Sequence, residues 1–176
     1  MNDQDPAGRA AQLREAFDLD FARPAAAPAQ DGSRSLLALR VGGDPYLLPL
    51  EALRGVVRDR PLLRLPTAVP EFLGLVGVRT GLVPVYSLRV LLGYAPAEAQ
   101  GWLALARDAQ VALLFDTYDG HLQATPAQLV PYRGAGAAST LTPQAAVVDG
   151  VARPLLELHA ALRLIQQRGR NTAPRE

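Results

Sequence analysis

The sequence predicts a mainly β chain folded as two small barrels. Three observations carry this. Apolar residues recur with a period of two in short runs, glycine marks at least four tight turns between those runs, and helical periodicity is confined to the two ends and one brief segment. A Pro/Ala/Glu spacer at 95–101 splits the runs into two comparable groups, so a division between the lobes is expected between about 93 and 101.

Residues 6–22 read as an amphipathic helix, because Leu13, Phe17 and Phe21 fall at i, i+4 and i+8 while Arg9, Arg14, Glu15 and Asp18 lie elsewhere around it. Pro24 ends it, and 24–33 (PAAAPAQDGS) is a flexible connector, which makes residues 1–33 a tethered helix and linker. Such a helix can cover an apolar patch of its own domain, act as a flap on a groove, or dock on a partner. From 35 the period becomes two. Leu37, Leu39 and Val41 alternate with Leu36, Ala38 and Arg40, and GGDP at 42–45 turns the chain into 46–49, a hairpin. Extended pieces at 56–60 and 62–65 are punctuated by Pro61 and Pro66. Residues 73–79 and 82–86 then face each other across Thr80-Gly81, a second hairpin.

A short helix at 87–92 follows, with Ser87 as N-cap and Gly93 as its stop. Strands resume at 102–107 and 110–116, where Val111, Leu113 and Phe115 share one face. Asp119-Gly120 and Asp149-Gly150 both carry the type I′ hairpin signal, and 134–139 is a loop of small residues. A closing helix is expected over 154–167. Pro154 stands in its first turn, Glu157 near its positive end, Leu155, Leu158, Leu162 and Ile165 along one face, and Gly169 after it. Residues 168–176 read as a frayed tail.

Composition narrows the function classes. The chain has 176 residues, 49% of them hydrophobic, enough for a real core. Lys+Arg 18 against Asp+Glu 17 gives a net charge of +1, and all the basic residues are Arg, spread along the chain. No basic stripe is available for nucleic-acid phosphates, and few aromatics are available for a barrel that stacks single-stranded bases. The absence of cysteine excludes disulfides and every thiolate-based catalytic or metal site. Asp3 and Asp5 stand where a secretory signal would be positive, and no apolar stretch approaches the roughly 20 residues that span a bilayer. A soluble cytoplasmic protein is the expectation.

Catalytic chemistry finds little to work with. His121 and His159 have no carboxylate at a metal-ligand spacing, so neither metal nor cofactor is expected. Without lysine there is no Schiff base, phosphate-binding loop or Ser/Lys pair, and no G-x-S-x-G elbow occurs. Asp116 and Asp119 could reach one site, but turn chemistry at Asp119-Gly120 explains them better. No enzyme is expected, and recognition is what remains. In the apolar segment 72–92, Arg79 stands at the end of a strand just before the hairpin loop. Its rigid fork of donors suits a carboxylate or backbone carbonyls at an interface, and a solvated loop arginine is the plainer alternative.

The run at 74–88, GLVGVRTGLVPVYSL, closely resembles the central signature of the CheW-like family, the coupling proteins of bacterial chemosensory arrays, which reads roughly G-V-I-N-L-R-G-x-V-L-P-V-I-D-L. The segment 37–53 (LALRVGGDPYLLPLEAL) is similar to the family's opening hairpin, LLFD at 113–116 to its second-lobe strand, and RPLLEL at 153–158 to its closing motif. The resemblance covers about 35–167. It implies two SH3-like five-stranded β-barrels with a C-terminal α-helix, here with an added N-terminal amphipathic helix. It implies no catalytic activity, and an adaptor role joining the cytoplasmic tip of chemoreceptors (methyl-accepting chemotaxis proteins) to the regulatory domain of a CheA-type histidine kinase, itself a double barrel. Such a protein works at receptor arrays without inserting into the membrane. Receptor tips are then expected in the groove between the barrels near Arg79, with Val78, Thr80, Leu82 and Val83 around it, and Leu53 and Gly55 matching a further partner-contact segment. The signature Asn is Gly77, its Gly is Thr80 with glycine displaced to Gly81, its Asp is Ser87, and the closing Asp is Glu157. These departures motivate the alternative of a divergent accessory protein that binds receptors or another array component without activating the kinase.

Overall fold

The computed structural model describes residues 32–172 except 59, 80, 135 and 137, so the helix expected at 6–22 lies outside the described residues. In chain order the strands are β1 (Arg34–Val41), β2 (Asp44–Pro49), β3 (Leu53–Arg58), β4 (Leu62–Leu63), β5 (Phe72–Val78), β6 (Gly81–Ser87), β7 (Trp102–Ala106), β8 (Ala112–Phe115), β9 (Thr117–Ala124), β10 (Leu129–Pro131), β11 (Gln144–Val148) and β12 (Val151–Leu155). Helices are α1 (Leu88–Leu91), α2 (Ala138–Leu141) and α3 (Leu158–Thr172). Two six-stranded sheets result, ordered β10-β11-β12-β2-β1-β9 and β3-β7-β8-β6-β5-β4. Each has one very short strand, β10 or β4, beyond the five expected.

The lobes do not part at 93–101. That segment joins α1 to β7, and β6 and β7 belong to the same second sheet, while the opening hairpin pairs with β9 and β12 of the C-terminal half. Periodicity cannot report this, because a strand's pattern shows which faces are buried and not which distant strand lies beside it.

Burial explains the unusually continuous apolar runs. Leu36, Leu37, Ala38 and Leu39 are all buried, because β1 has a core on each side. Leu37, Leu39 and Val41 join Tyr46 and Leu48 of β2 in a layer shared with Leu53, Ala104, Leu113 and Phe115 of the second sheet. Leu36, Ala38 and Leu47 point the other way, into a core with Ala124, Ala146 and Leu155. The second sheet has its own interior of Val76, Val83, Val85, Leu103, Leu105, Ala112 and Leu114. The middle layer welds the sheets together, each fully buried leucine contributing about 1.5–3 kcal/mol.

Local chemistry agrees with the sequence at several points. Val41 pairs with Asp44 across Gly42 and Gly43, both at positive φ, and Val148 pairs with Val151 across Asp149 and Gly150, as type I′ turns require. Ser87 caps α1 by accepting the Val90 N–H at 3.3 Å, and Gly93, φ +91°, ends it.

Three expectations are corrected. Val78 pairs with Gly81, so Arg79 lies in the second hairpin's loop and not in its strand, and Gly81 opens β6 at φ +124°. Asp119-Gly120 makes no hairpin: β9 runs straight through it, and the register against β1 slips between Ala38 and Leu39, which makes the pair a β-bulge. The last helix begins at Leu158 rather than 154, because Pro154 and Leu155 continue β12 against Ala145 and Gln144 and Leu155 also meets Leu47. Glu157 directly precedes α3, its carbonyl accepting the Ala161 N–H, and the helix passes Gly169 to end at Thr172.

Candidate functional site

Among the described residues the most exposed large apolar side chain, Leu82, lies on the second hairpin. Val76 of β5 and Val83 and Val85 of β6 point into the second sheet's core, so their neighbours must face outward. Leu82, opposite Gly77, is 59% exposed, and Leu63, opposite Leu75, is 56% exposed. Cross-strand partners share a face and Leu75 and Gly77 alternate along β5, so Leu63 and Leu82 share one outer face of β4, β5 and β6. Gly77 leaves that face shallow, since a Cβ there would meet nothing within 4 Å. Arg79 is exposed in the loop at its end. Exposed leucine beside a guanidinium is a composition that interaction surfaces share.

Residues expected at the site are dispersed. Arg79 and Leu82 come together at the hairpin tip, Val78 is half-buried against the second sheet's core, and Thr80 lies outside the described residues. Val83 is 1% exposed and Leu53 is 4% exposed, in different cores, so neither can touch a partner directly. Gly55 is half-exposed at a bulge in β3, at the opposite end of the strand order from β4.

A second feature, unseen in the sequence, crosses between the sheets. The Trp102 and Tyr118 rings lie 5.2 Å apart at 46°, and the Arg58 guanidinium sits 5.3 Å from the Trp102 ring centroid. Trp102 belongs to β7 and Tyr118 to β9, so the contact lies along a seam of the middle layer, where Leu50, Val56 and Trp102 are partly buried. Trp102 reads as an ordinary core residue until the β3–β7 and β1–β9 registers are known.

The opposite-handed charges mostly hold structure. Asp116 Oδ2 accepts the Gly42 N–H at 2.7 Å and Arg89 Nη1 at 2.7 Å, while Arg89 Nε donates to the Ala95 carbonyl at 2.8 Å. The Tyr94 hydroxyl donates to Asp44, and the Tyr46 and Tyr94 hydroxyls are 2.8 Å apart. Residues around α1 and β8 thereby grip the β1–β2 turn of the other sheet. Burial, then the hydrogen bond to Asp44, pushes the Tyr94 phenol far above its usual range; burial also raises Tyr46. Asp119 pairs instead with Arg40 at 2.8 Å, so the two aspartates share no site.

Glu71, just before β5, is fully buried, and neither carboxylate oxygen receives a hydrogen bond. Arg168 near the end of α3 approaches it at 3.6 Å. Burial first, and the Glu71 charge second, raise the Tyr86 phenol. Among the described residues no cluster of three or more His, Asp or Glu could hold a metal ion, and both histidines are exposed. No helix among them is long and apolar enough to cross a membrane.

The family model for the CheW-like domain matches residues 35–166. Among solved structures, the chain is similar to the scaffolding protein TtCheW from Thermoanaerobacter tengcongensis, with 14% identity, a TM-score of 0.65, and coverage of 73% of this chain and 91% of that one. At that identity the likeness speaks for the fold. No curated protein matches the chain.

Proposed function

Because the chain belongs to the CheW-like domain family, we propose that it is a non-catalytic adaptor of bacterial chemotaxis, coupling the cytoplasmic tip of chemoreceptors to the regulatory domain of a CheA-type histidine kinase. It would act in the cytoplasm at receptor arrays. The observation that carries this is the exposed leucine face of β4–β6 ending at Arg79, where the two most exposed large apolar side chains among the described residues, Leu82 and Leu63, stand together. An adaptor needs more than one surface, and the Arg58–Trp102–Tyr118 seam, where Tyr118 is exposed beside a guanidinium, is the candidate for a second. The displaced glycine is compatible with the role, since Gly81 takes the positive φ that the shifted loop needs, and Ser87 still caps α1 in place of the signature Asp.

Arg79→Glu should weaken capture of this protein by the cognate receptor's cytoplasmic fragment while leaving thermal stability unchanged, because the side chain is exposed. Loss of folding would make Arg79 structural and remove it from the interface. The accessory reading, motivated by Gly77 and the altered loop, is separated by reconstituting receptor, kinase and this protein. Kinase activation equal to that given by a standard coupling protein rules it out.

A further inference from the structure

Away from both surfaces, a cleft of about 580 Å³ lies at the end of the first sheet, where the β2 end, the β10–β11 edges and the start of α3 meet the β7–β8 turn. Its walls are unusual in chemistry. Pro49, Pro131 and Pro143 line it with Ala52 and the 155–158 leucines, and proline offers rings without N–H donors, so the interior suits an apolar side chain. Its rim is acidic. Glu51, Asp108 and Glu157 line it with one guanidinium, Arg34, and one imidazole, His159, and Arg34 is already committed to Glu51 at 2.8 Å. Glu157 has a solvent-exposed, long pairing with Arg163 at 3.3 Å. Asp108 makes no side-chain hydrogen bond or ion pair among the described residues. A locally acidic, proline-walled cleft on a chain of net charge +1 selects by charge as well as by shape.

We propose that this cleft is a third docking site, one that takes a partner-protein segment carrying an apolar side chain flanked by arginine or lysine. Arg79 and Leu82 line no part of it, so the site stands or falls separately from the adaptor surfaces.

The test uses the full chain and two fluorescein-labelled peptides, Gly-Arg-Leu-Phe-Arg-Gly and its Glu-for-Arg counterpart, read by fluorescence anisotropy. The arginine peptide should bind and the glutamate peptide should bind at least about fivefold more weakly; Asp108→Arg should weaken the arginine peptide about fivefold, and high salt should do the same. Gln144→Trp, at an exposed strand position on the cleft wall, should abolish binding with the thermal midpoint retained, and Arg79→Glu should leave it unchanged. Equal binding of both peptides, no binding of the arginine peptide, or insensitivity to Asp108→Arg and Gln144→Trp would each overturn the proposal. So would a concentration-dependent dimer lost in Gln144→Trp without peptide binding, which would assign the cleft to a second copy.

Discussion

Replacing Arg168 by Met should destabilise the protein far more than a helix-end arginine normally warrants. Its partner, Glu71, has no solvent exposure and no hydrogen bond to either oxygen, so the guanidinium at 3.6 Å is the main compensation for that charge. At 3.6 Å and an effective dielectric of about 20, the gross attraction is ~4–5 kcal/mol. Arg168's side chain is 38% exposed, so solvent screening reduces the net effect to roughly 1–3 kcal/mol. Glu71→Gln should cost less, because it removes the buried charge and leaves a cation that water can reach. The double variant should therefore be more stable than the two single effects summed. Urea unfolding followed by the fluorescence of the single tryptophan, Trp102, measures all three against the parent chain. A cost below ~0.5 kcal/mol for Arg168→Met, or additivity within ~0.5 kcal/mol, would refute the coupling.

Gly42→Ala should cost roughly 2–3 kcal/mol, since its Cβ would sit 2.6 Å from Tyr94 Cδ1 at φ +65°. Gly43→Ala, at φ +91° with open space, should cost only about 1 kcal/mol, and equal urea midpoints for the two would remove the clash argument. Asp116→Ala takes away two charge-assisted acceptor contacts and should lose about 2–3 kcal/mol by the same measurement. Tyr46, Tyr86 and Tyr94 are all raised above 10.0 in the fold. Below that pH they do not affect stability. Above it the unfolded chain releases protons that the fold retains, so stability should fall as pH rises past 10. Ultraviolet titration of the folded chain should show these phenols ionising above the ordinary tyrosine range, Tyr94 last, and ionisation of all five tyrosines together near pH 10.0 would contradict their burial.

The turns with two positive-φ residues were legible because Gly42-Gly43 and Asp149-Gly150 state their backbone requirement in their own chemistry. Asp119-Gly120 makes the same statement and means a bulge, since a glycine that takes positive φ serves either purpose and only the β1 register distinguishes them. Pro154 misled in a related way: its fixed φ suits a helix's first turn and a strand equally, and Leu47, far off in the chain, decides. Of the site, Arg79 and Leu82 could be placed from the hairpin alone. Val83 could not be told from a surface residue, because its outward neighbour Leu82 is also apolar and β6 lacks the polar alternation that marks its outside, while the burial of Leu53 depends on the layer shared between the two sheets. Trp102 with Tyr118, and Glu71 with Arg168, join residues from separate strands or from opposite ends of the domain, so only the assembled sheets bring them together.

Strands β3 to β8 form one unbroken stretch of chain spliced between β2 and β9, whereas the first sheet draws on both sides of the splice. During synthesis the opening hairpin leaves the ribosome long before its neighbours β9 and β12, and it must wait with open edges while the inserted lobe is made. The two lobes thus differ in evolutionary freedom. The inserted one is a cassette whose tip, with Arg79 and Leu82, can be exchanged or reshaped as a continuous segment if its ends still meet the Asp116–Gly42 clamp. The other is a frame that must be inherited whole.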